Sequence, residues 1–181
     1  MSSAGAPGQT GMTDTPRVGR IDRRYSDSER PPSDWADAER ALADAELYWF
    51  TSVRADGRPH VAPMVGVWHE RAFHFSTASR EQKWKNMAAN DQVAVTTGTN
   101  TWDAGLDVVL EGRATRVTEA AALQRIADSY QAKYGEPWAF QVLEDGFDQG
   151  DGTVTDVFRV EADKVIAFAK EPHGQTTFRF D

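Results

Sequence analysis

Residues 48–77 read YWFTSVRADGRPHVAPMVGVWHERAFHFST, a stretch rich in aromatic and β-branched residues. This composition favours strands, and the Asp56-Gly57 pair is typical of a tight hairpin turn. A second turn is expected around His69-Glu70-Arg71, where polar residues interrupt the apolar pattern. The sequence therefore predicts three antiparallel strands, joined as a meander without a crossover helix, over residues 48–53, 59–68 and 72–77.

The flanking sequence adds helices and further strands. Helical spacing of apolar residues predicts three helices, over 34–44, 79–90 and 118–135. The second is expected to begin with a capping box formed by Ser79 and Gln82. Strand-like runs follow at 93–97, 107–117 and 176–180, and a last hairpin is expected to join 154–160 to 164–169 through residues 161–163. We therefore expect an α+β domain of about six or seven antiparallel strands and about three helices, built on a small closed or nearly closed barrel.

Residues 1–33 differ in composition from the rest. They contain one aromatic residue, Tyr25, together with a cluster of arginines and acids. Such a segment buries too little apolar surface to offset its ordering entropy. We predict a disordered arm over 1–33 and a folded domain over 34–181. The arm is either a solvated tail or a site where the arginines bind a partner.

Composition excludes several classes of protein. The formal net charge of −8 disfavours general binding to nucleic acid or to anionic membranes. The absence of cysteine excludes disulfides, thiolate metal sites and a thiol nucleophile. No apolar run approaches the roughly 20 residues that span a bilayer, and the first 15 residues lack the pattern of a secretory signal. The expected compartment is the cytoplasm.

Common catalytic signatures are missing as well. The sequence has no phosphate-binding G-x-x-x-x-G-K, no dinucleotide-binding G-x-G-x-x-G, no G-x-S-x-G and no H-E-x-x-H. The four histidines do not have metal-binding spacing, and we predict no metal site. His60 and His74 lie on neighbouring predicted strands, where they are expected to be ordinary packed or exposed residues.

A candidate anion site lies where the third strand ends and the second helix begins. Free backbone N–H groups and the positive end of the helix dipole attract anions at such a place. The side chains that would bind the anion are hydroxyls and cations, namely Ser76, Thr77, Ser79, Arg80, Lys83 and Lys85. The alternative is an ordinary capped helix with a solvated basic face.

A second candidate feature is the strand segment Val61–Gly66. A proline in mid-strand removes a ladder donor and a glycine leaves the backbone open, so we expect an edge or a bulge there. A flat ring could stack on this segment, on Val61, Pro63 or Met64. Core packing alone explains the same apolar residues.

From Trp49 to Phe180 the sequence resembles the pyridoxamine 5'-phosphate oxidase-like split-barrel superfamily, and within it the flavin- and deazaflavin-dependent oxidoreductases. The matching stretches are residues 48–61 (YWFTSVRADGRPHV), 75–77 (FST), 83–87 (KWKNM), 105–112 (GLDVVLEG) and 175–180 (QTTFRF). No one of these motifs is decisive, but their order and spacing together are fairly specific. The resemblance implies a split β-barrel of the FMN-binding type, assembled as a homodimer with two cofactor sites between the subunits.

The resemblance also implies roles for particular residues. Thr77 and Lys83 would contact a cofactor phosphate, Pro63 and Met64 would lie against the ring system, and Arg179 would come near the site. Vitamin B6 oxidases carry basic residues in the strand that here reads Val61–Gly66, and an arginine where this chain has Gln82. These departures favour relatives that use the deazaflavin coenzyme F-420 instead.

The leading hypothesis is an oxidoreductase that transfers a hydride from reduced coenzyme F-420 to an unsaturated or heteroaromatic small molecule. Trp102 in the loop 98–105 could cover the ring, or form a dimer contact. One alternative is an FMN-dependent oxidoreductase like pyridoxamine 5'-phosphate oxidase. Another is a non-catalytic deazaflavin or haem carrier, in which a histidine would be the axial ligand, namely His60, His69, His74 or His173.

Overall fold

The structure is a computed structural model that describes residues 18–150 and 152–180. Within these ranges the chain forms three α-helices, and their bounds are α1 Trp35–Asp44, α2 Gln82–Ala89 and α3 Ala120–Tyr134. Short 3-10 helices lie at Arg23–Tyr25 and Glu136–Trp138. No helix in this part of the chain is long and apolar enough to cross a membrane.

The same ranges contain eleven β-strands, which are β1 Arg20–Ile21, β2 Tyr48–Val53, β3 Pro59–Met64, β4 Val67–His69, β5 Ala72–Thr77, β6 Gln92–Thr97, β7 Leu106–Val117, β8 Gln141–Val142, β9 Phe147–Asp148, β10 Val154–Ala169 and β11 Gly174–Arg179. They are more numerous than the sequence predicts, because several have only two or three residues. The main path runs β1-β11-β10-β7-β6-β2-β3, and the sheet does not close. The predicted α+β split barrel with three helices is confirmed.

Strand β10 organises the fold. It pairs with β7 along most of its length, while its other edge pairs first with β5 and then with β11. The predicted hairpin through 161–163 is therefore wrong. The polar residues there mark a register shift between Ala162 and Lys164, and the strand continues past it. Gly112 lies opposite this shift, and a Cβ on Gly112 would lie 1.9 Å from the carbonyl oxygen of Glu161.

The predicted three-stranded meander is also wrong. Strands β2 and β3 pair as expected, but β3 ends the main path, and the chain breaks at Val65-Gly66 before β4 pairs with β5. Gly66 lies so close to Phe73 that a Cβ would come within 2.3 Å of its ring. After this break, β5 pairs with β10 and β4 pairs with β5, and β5 is buried on both faces.

Two hydrophobic clusters within the described ranges lie on either side of β5. Phe73 and Phe75 belong to the barrel core with Phe50, whereas Val67 packs with the buried face of α3. Because side chains alternate along a strand, His74 points away from the barrel core towards α3. The hydroxyl of Tyr130 in α3 donates to the His74 carbonyl at 3.2 Å.

The N-terminal segment differs from the predicted disordered arm. Residues 1–17 lie outside the described residues, but 18–33 lie along the outer edge of β11. Strand β1 pairs with Thr176 and Thr177. The Asp22 amide donates to the Gln175 carbonyl at 2.8 Å, and the Ser33 amide donates to the Thr176 hydroxyl at 2.9 Å. Composition underestimates this order because the segment is held by backbone hydrogen bonds and not by buried apolar side chains.

Candidate functional site

The link between β5 and α2 forms a small anion cradle, which we define as the Ala78 amide, the Thr77 hydroxyl and the Lys83 ammonium. The Glu81 carboxylate occupies it. Its Oε1 accepts a hydrogen bond from the Ala78 amide at 3.0 Å, and its Oε2 is paired with the Lys83 ammonium. The Thr77 side chain is buried, and its hydroxyl has no regular hydrogen-bond partner among the described residues.

Charge around the cradle favours a bound anion. Burial alone would raise the pKa of Glu81, but Lys83, the Ala78 amide and the nearby Thr77 hydroxyl outweigh it, so this pKa lies below its usual value. The Lys83 side chain is only 13% exposed, and Glu81 is its ion-pair partner. The cradle thus stabilises a negative charge in a position largely shielded from water.

The start of α2 differs from the sequence prediction. The helix begins at Gln82 with Glu81 at the N-cap position, not with a Ser79–Gln82 capping box. The Gln82 side chain bonds to Asn86 instead, at 2.8 Å, and Ser79 is exposed. The capping box fails because residues 78–81 form a turn, closed by the Glu81 amide donating to the Ala78 carbonyl at 2.9 Å.

A cavity of about 350 Å³ opens beside the cradle. This volume is at the lower end of the range of about 300 to 1,000 Å³ typical of small-molecule sites. Part of its lining is apolar or aromatic and is called here the apolar wall, namely Met64, Val65, Tyr130 and Trp138. Most of the rest is polar or charged, namely Ser76, Arg80, Glu81, Lys83, Gln149, Thr153 and Thr155. A lining of both kinds suits a ligand that carries a flat ring and an anionic group.

The structure brings together part of the predicted site. Met64, Ser76, Arg80 and Lys83 line the cavity, whereas Thr77 is buried and does not line it. Arg80 makes no ion pair with any residue of the described ranges, so its charge is available to a ligand. Lys85 is exposed and does not line the cavity.

The remaining predicted residues lie elsewhere in this subunit. Val61 and Pro63 are exposed on the opposite face of β3 from Met64. Trp102 is 93% exposed and lines a cavity with Phe168, at the far end of β10 from Thr155. Arg179 lines a groove with the arginines of residues 20–24. One chain alone therefore does not assemble the complete predicted site.

Sequence reasoning missed several lining residues. Tyr130 lies in the predicted helix 118–135 and Thr155 in the predicted strand 154–160, while Trp138 and Gln149 lie between predicted elements. These residues are distant in sequence from Lys83, and only the pairing of β5 with β10 brings them to it. The strong aromatic content of residues 130–140 was the available signal.

The histidines do not form part of this site. None of the four, all within the described ranges, lines the cavity beside Lys83, and no cluster of three metal-ligating side chains exists in those ranges. His60 and His74 are on strands that do not pair, contrary to prediction. The His69 and His74 rings lie 6.0 Å apart, and the His69 ring bonds to the Ser129 hydroxyl at 3.2 Å.

Solved structures share this architecture at low sequence identity. A putative 5-nitroimidazole antibiotic resistance protein from Bacteroides thetaiotaomicron is 11% identical, with 97% of this chain and 99% of that chain covered and a TM-score of 0.62. A FAD-binding protein from Mesorhizobium loti is 16% identical, with 80% and 94% covered and a TM-score of 0.55. The heme storage protein HutZ from Vibrio cholerae is 14% identical, with 75% and 91% covered and a TM-score of 0.55. These likenesses show the fold alone.

No curated protein matches the sequence. The family profile described as pyridoxamine 5'-phosphate oxidase matches residues 35–168, which is about three quarters of the chain and includes β2 to β10 and all three α-helices. The matched region contains the cradle, the cavity and the long shared strand. On this match, and in agreement with the split-barrel topology, the chain belongs to the pyridoxamine 5'-phosphate oxidase family.

Proposed function

We propose that this protein is an oxidoreductase that binds a phosphorylated flavin-type cofactor in the cavity beside Lys83, with its phosphate in the anion cradle. The single observation that carries the proposal is that the cradle already stabilises a carboxylate beside an aromatic wall. A phosphate carries the same sign of charge and can accept the same contacts, from the Ala78 amide and the largely shielded Lys83 ammonium, with the Thr77 hydroxyl as a further donor. The residues present therefore fit the phosphate of such a cofactor.

The leading cofactor is the deazaflavin coenzyme F-420, which when bound would supply hydride transfer to an unsaturated or heteroaromatic small molecule. The edge strand β3 carries no basic side chain beyond His60, unlike the corresponding strand of vitamin B6 oxidases. FMN is the second candidate, and the likeness to a FAD-binding protein favours it.

In this mechanism the protein binds the cofactor and orients its ring. Lys83, Thr77 and the Ala78 amide hold the phosphate, and Arg80, which has no ion-pair partner within 18–150 and 152–180, adds a positive charge to the cavity lining. Met64 and Trp138 offer apolar surface to the ring system and keep water from it. No acid or base is required of these residues for the cofactor's own chemistry, which agrees with the missing catalytic signatures.

The site is proposed to be completed by a second copy of the chain. Trp49 is 49% exposed and Val61 is 54% exposed, and they lie with Pro63 on the outer face of β2 and β3. Large apolar side chains clustered on one sheet face mark an interaction surface. A homodimer formed through this face would cover these side chains. The proposed partners are a small-molecule substrate and a second copy of the chain, with no nucleic acid and no membrane. The proposed compartment is the cytoplasm.

A carrier of haem is less well supported, because it requires an axial histidine in the cavity and none lines it. A non-catalytic deazaflavin carrier would bind the cofactor without turning over any acceptor.

Equilibrium binding of coenzyme F-420, FMN and haem, measured in parallel by fluorescence and absorbance, tests the proposal. We expect Lys83→Ala to weaken binding of the phosphorylated cofactor by about tenfold or more, since a charge-assisted hydrogen bond contributes about 1.5 to 3 kcal/mol. Lys85→Ala is the matched control, because it removes the same charge from an exposed position on the same helix. No binding of either flavin-type cofactor at micromolar concentration would refute the proposal, as would equal effects of the two variants.

A further inference from the structure

The anion cradle holds a side chain of its own. The Glu81 carboxylate contacts the Ala78 amide and the Lys83 ammonium, and the Thr77 hydroxyl lies close enough to help lower its pKa. These are the groups to which the proposed function assigns the cofactor phosphate. Glu81 also lines the cavity, so its carboxylate and an incoming phosphate would meet in the same place.

Two anions cannot share these contacts. Like charges brought together at a partly buried site cost several kcal/mol, and Lys83 is the ion-pair partner of Glu81 alone among the described residues. A phosphate must therefore displace the Glu81 carboxylate before it can bind Lys83 and the Ala78 amide. The Glu81 side chain is 40% exposed, so it can swing outward without disturbing the core.

Displacing Glu81 has the same cost for every phosphate, but ligands differ in the contacts that offset this cost. Breaking the pair between Glu81 and Lys83 reduces the net gain from any phosphate that replaces it. A small anion such as inorganic phosphate gains nothing else in exchange. A ligand that also packs a ring on Met64 and Trp138 gains apolar contact that offsets the loss.

We propose that Glu81 is a specificity-determining residue, an internal anion that keeps the cradle closed to free anions and admits a phosphate only when the same molecule carries a ring for the apolar wall. This inference rests on the proposed function and extends it by naming the selection rule of the site. The selected class is phosphorylated ring compounds, and the rejected class is free anions of the same charge.

The test compares phosphorylated and unphosphorylated probes on wild-type protein and on Glu81→Gln. Glutamine keeps the size and the hydrogen-bond acceptor of Glu81 but removes the charge. The probes are coenzyme F-420 and FMN, each with its counterpart lacking the phosphate, which for FMN is riboflavin. Binding of inorganic phosphate is followed by competition and by its effect on thermal unfolding. Glu81→Ala serves as a second variant at the same position, and Glu171→Gln is the charge-matched control, in the turn between β10 and β11.

We expect Glu81→Gln to tighten binding of the phosphorylated probe by about tenfold or more, to leave the unphosphorylated counterpart unchanged, and to make binding of inorganic phosphate measurable. Glu171→Gln should change none of these. Equal or weaker binding of the phosphorylated probe by both Glu81 variants, with wild-type binding intact, would overturn the inference and leave the proposed function standing. Equal tightening of both probe types would also overturn it. If neither wild type nor variant binds a phosphorylated probe, the proposed function fails and this inference fails with it.

Discussion

We expect His74 to make the stability of the folded protein sensitive to mild acid. Its ring is only 3% exposed, and its Nδ1 has no hydrogen-bond partner among the described residues. Burial, with smaller contributions from the charges of Arg159 and His69, lowers the pKa of His74 from 6.5 to about 3. The folded protein therefore keeps this ring neutral well below pH 6.5, whereas the unfolded chain does not.

The expected size of the effect follows from proton linkage. Below pH 6.5 the unfolded chain binds a proton at His74 that the folded chain does not bind, so stability falls as the pH falls. The loss is about 1.4 kcal/mol per pH unit, which amounts to about 2 kcal/mol between pH 7.5 and pH 5. This window lies above the ordinary pKa values of aspartate and glutamate, so carboxylates contribute little to the change. Near pH 3 the folded protein also binds a proton at His74, so below that pH this residue causes no further loss of stability.

The groups that face His74 determine which variants are useful. Val67 in β4 and Arg159 in β10 are its partners across the sheet, and α3 covers it through Tyr130. His74→Gln removes the titration and keeps a polar side chain, while His74→Leu removes it and leaves no unpaired polar atom. His60→Gln is the control, because burial also lowers the pKa of His60 but its ring is partly exposed.

Urea unfolding at pH 7.5, 6.5, 5.8 and 5 measures the free energy of unfolding of each protein. We expect both His74 variants to lose about 2 kcal/mol less than wild type across this window, whatever their stability at pH 7.5. We expect the His60 control to change the pH dependence in the same direction but by less, because its ring is less buried. An unchanged pH dependence in the His74 variants would show that the buried ring accepts a proton in the folded state, and the reasoning from burial would be wrong.

Three further predictions concern the frame around the site. Gly112→Ala should lower the free energy of unfolding by about 1 to 3 kcal/mol, because its Cβ would overlap the backbone of Glu161; urea unfolding that matches wild type would contradict the close approach. Glu119→Ala should lower the free energy of unfolding by about 1 kcal/mol, because the Glu119 carboxylate accepts hydrogen bonds from the amides of Ala121 and Ala122 at the start of α3. A variant with the same helical circular dichroism signal and the same melting temperature as wild type would argue against this cap. Trp49→Glu should halve the mass measured by light scattering while leaving the fold intact, because it puts a charge on the proposed dimer face; a variant that remains dimeric would place the interface elsewhere.

Local sequence signals predicted the bounds of helices and strands better than they predicted which strands pair. The bounds of α1, β2 and β5 follow from periodicity and turn residues, because those signals act over a few positions. Pairing is a different matter. The pattern across residues 59–77 is compatible with a meander, and only the close packing of Gly66 against Phe73 shows why the chain leaves β3 and crosses to β10.

The same limit applies to the site. Ser76, Thr77 and Lys83 lie within a few residues of one another, so the junction of a strand and a helix was enough to identify them. Trp138 and Thr155 come from distant parts of the chain, and the sequence contains no local sign that they share a cavity with Lys83. The role of Glu81 was missed for another reason. An acid among cations reads as ordinary charge balance until its two contacts are seen.

The packing of residues 18–33 along β11 matters for anyone who shortens the chain. A version that starts at Asp34, where the predicted folded domain begins, would remove the groups that now satisfy the backbone of Gln175 and His173. The outer edge of β11 would then present unpaired amides and carbonyls to other molecules, and such edges promote intermolecular sheet growth. Residues 18–33 thus cover the edge of β11 against self-association. A truncated protein that stays monodisperse should therefore keep every residue from Val18 onward.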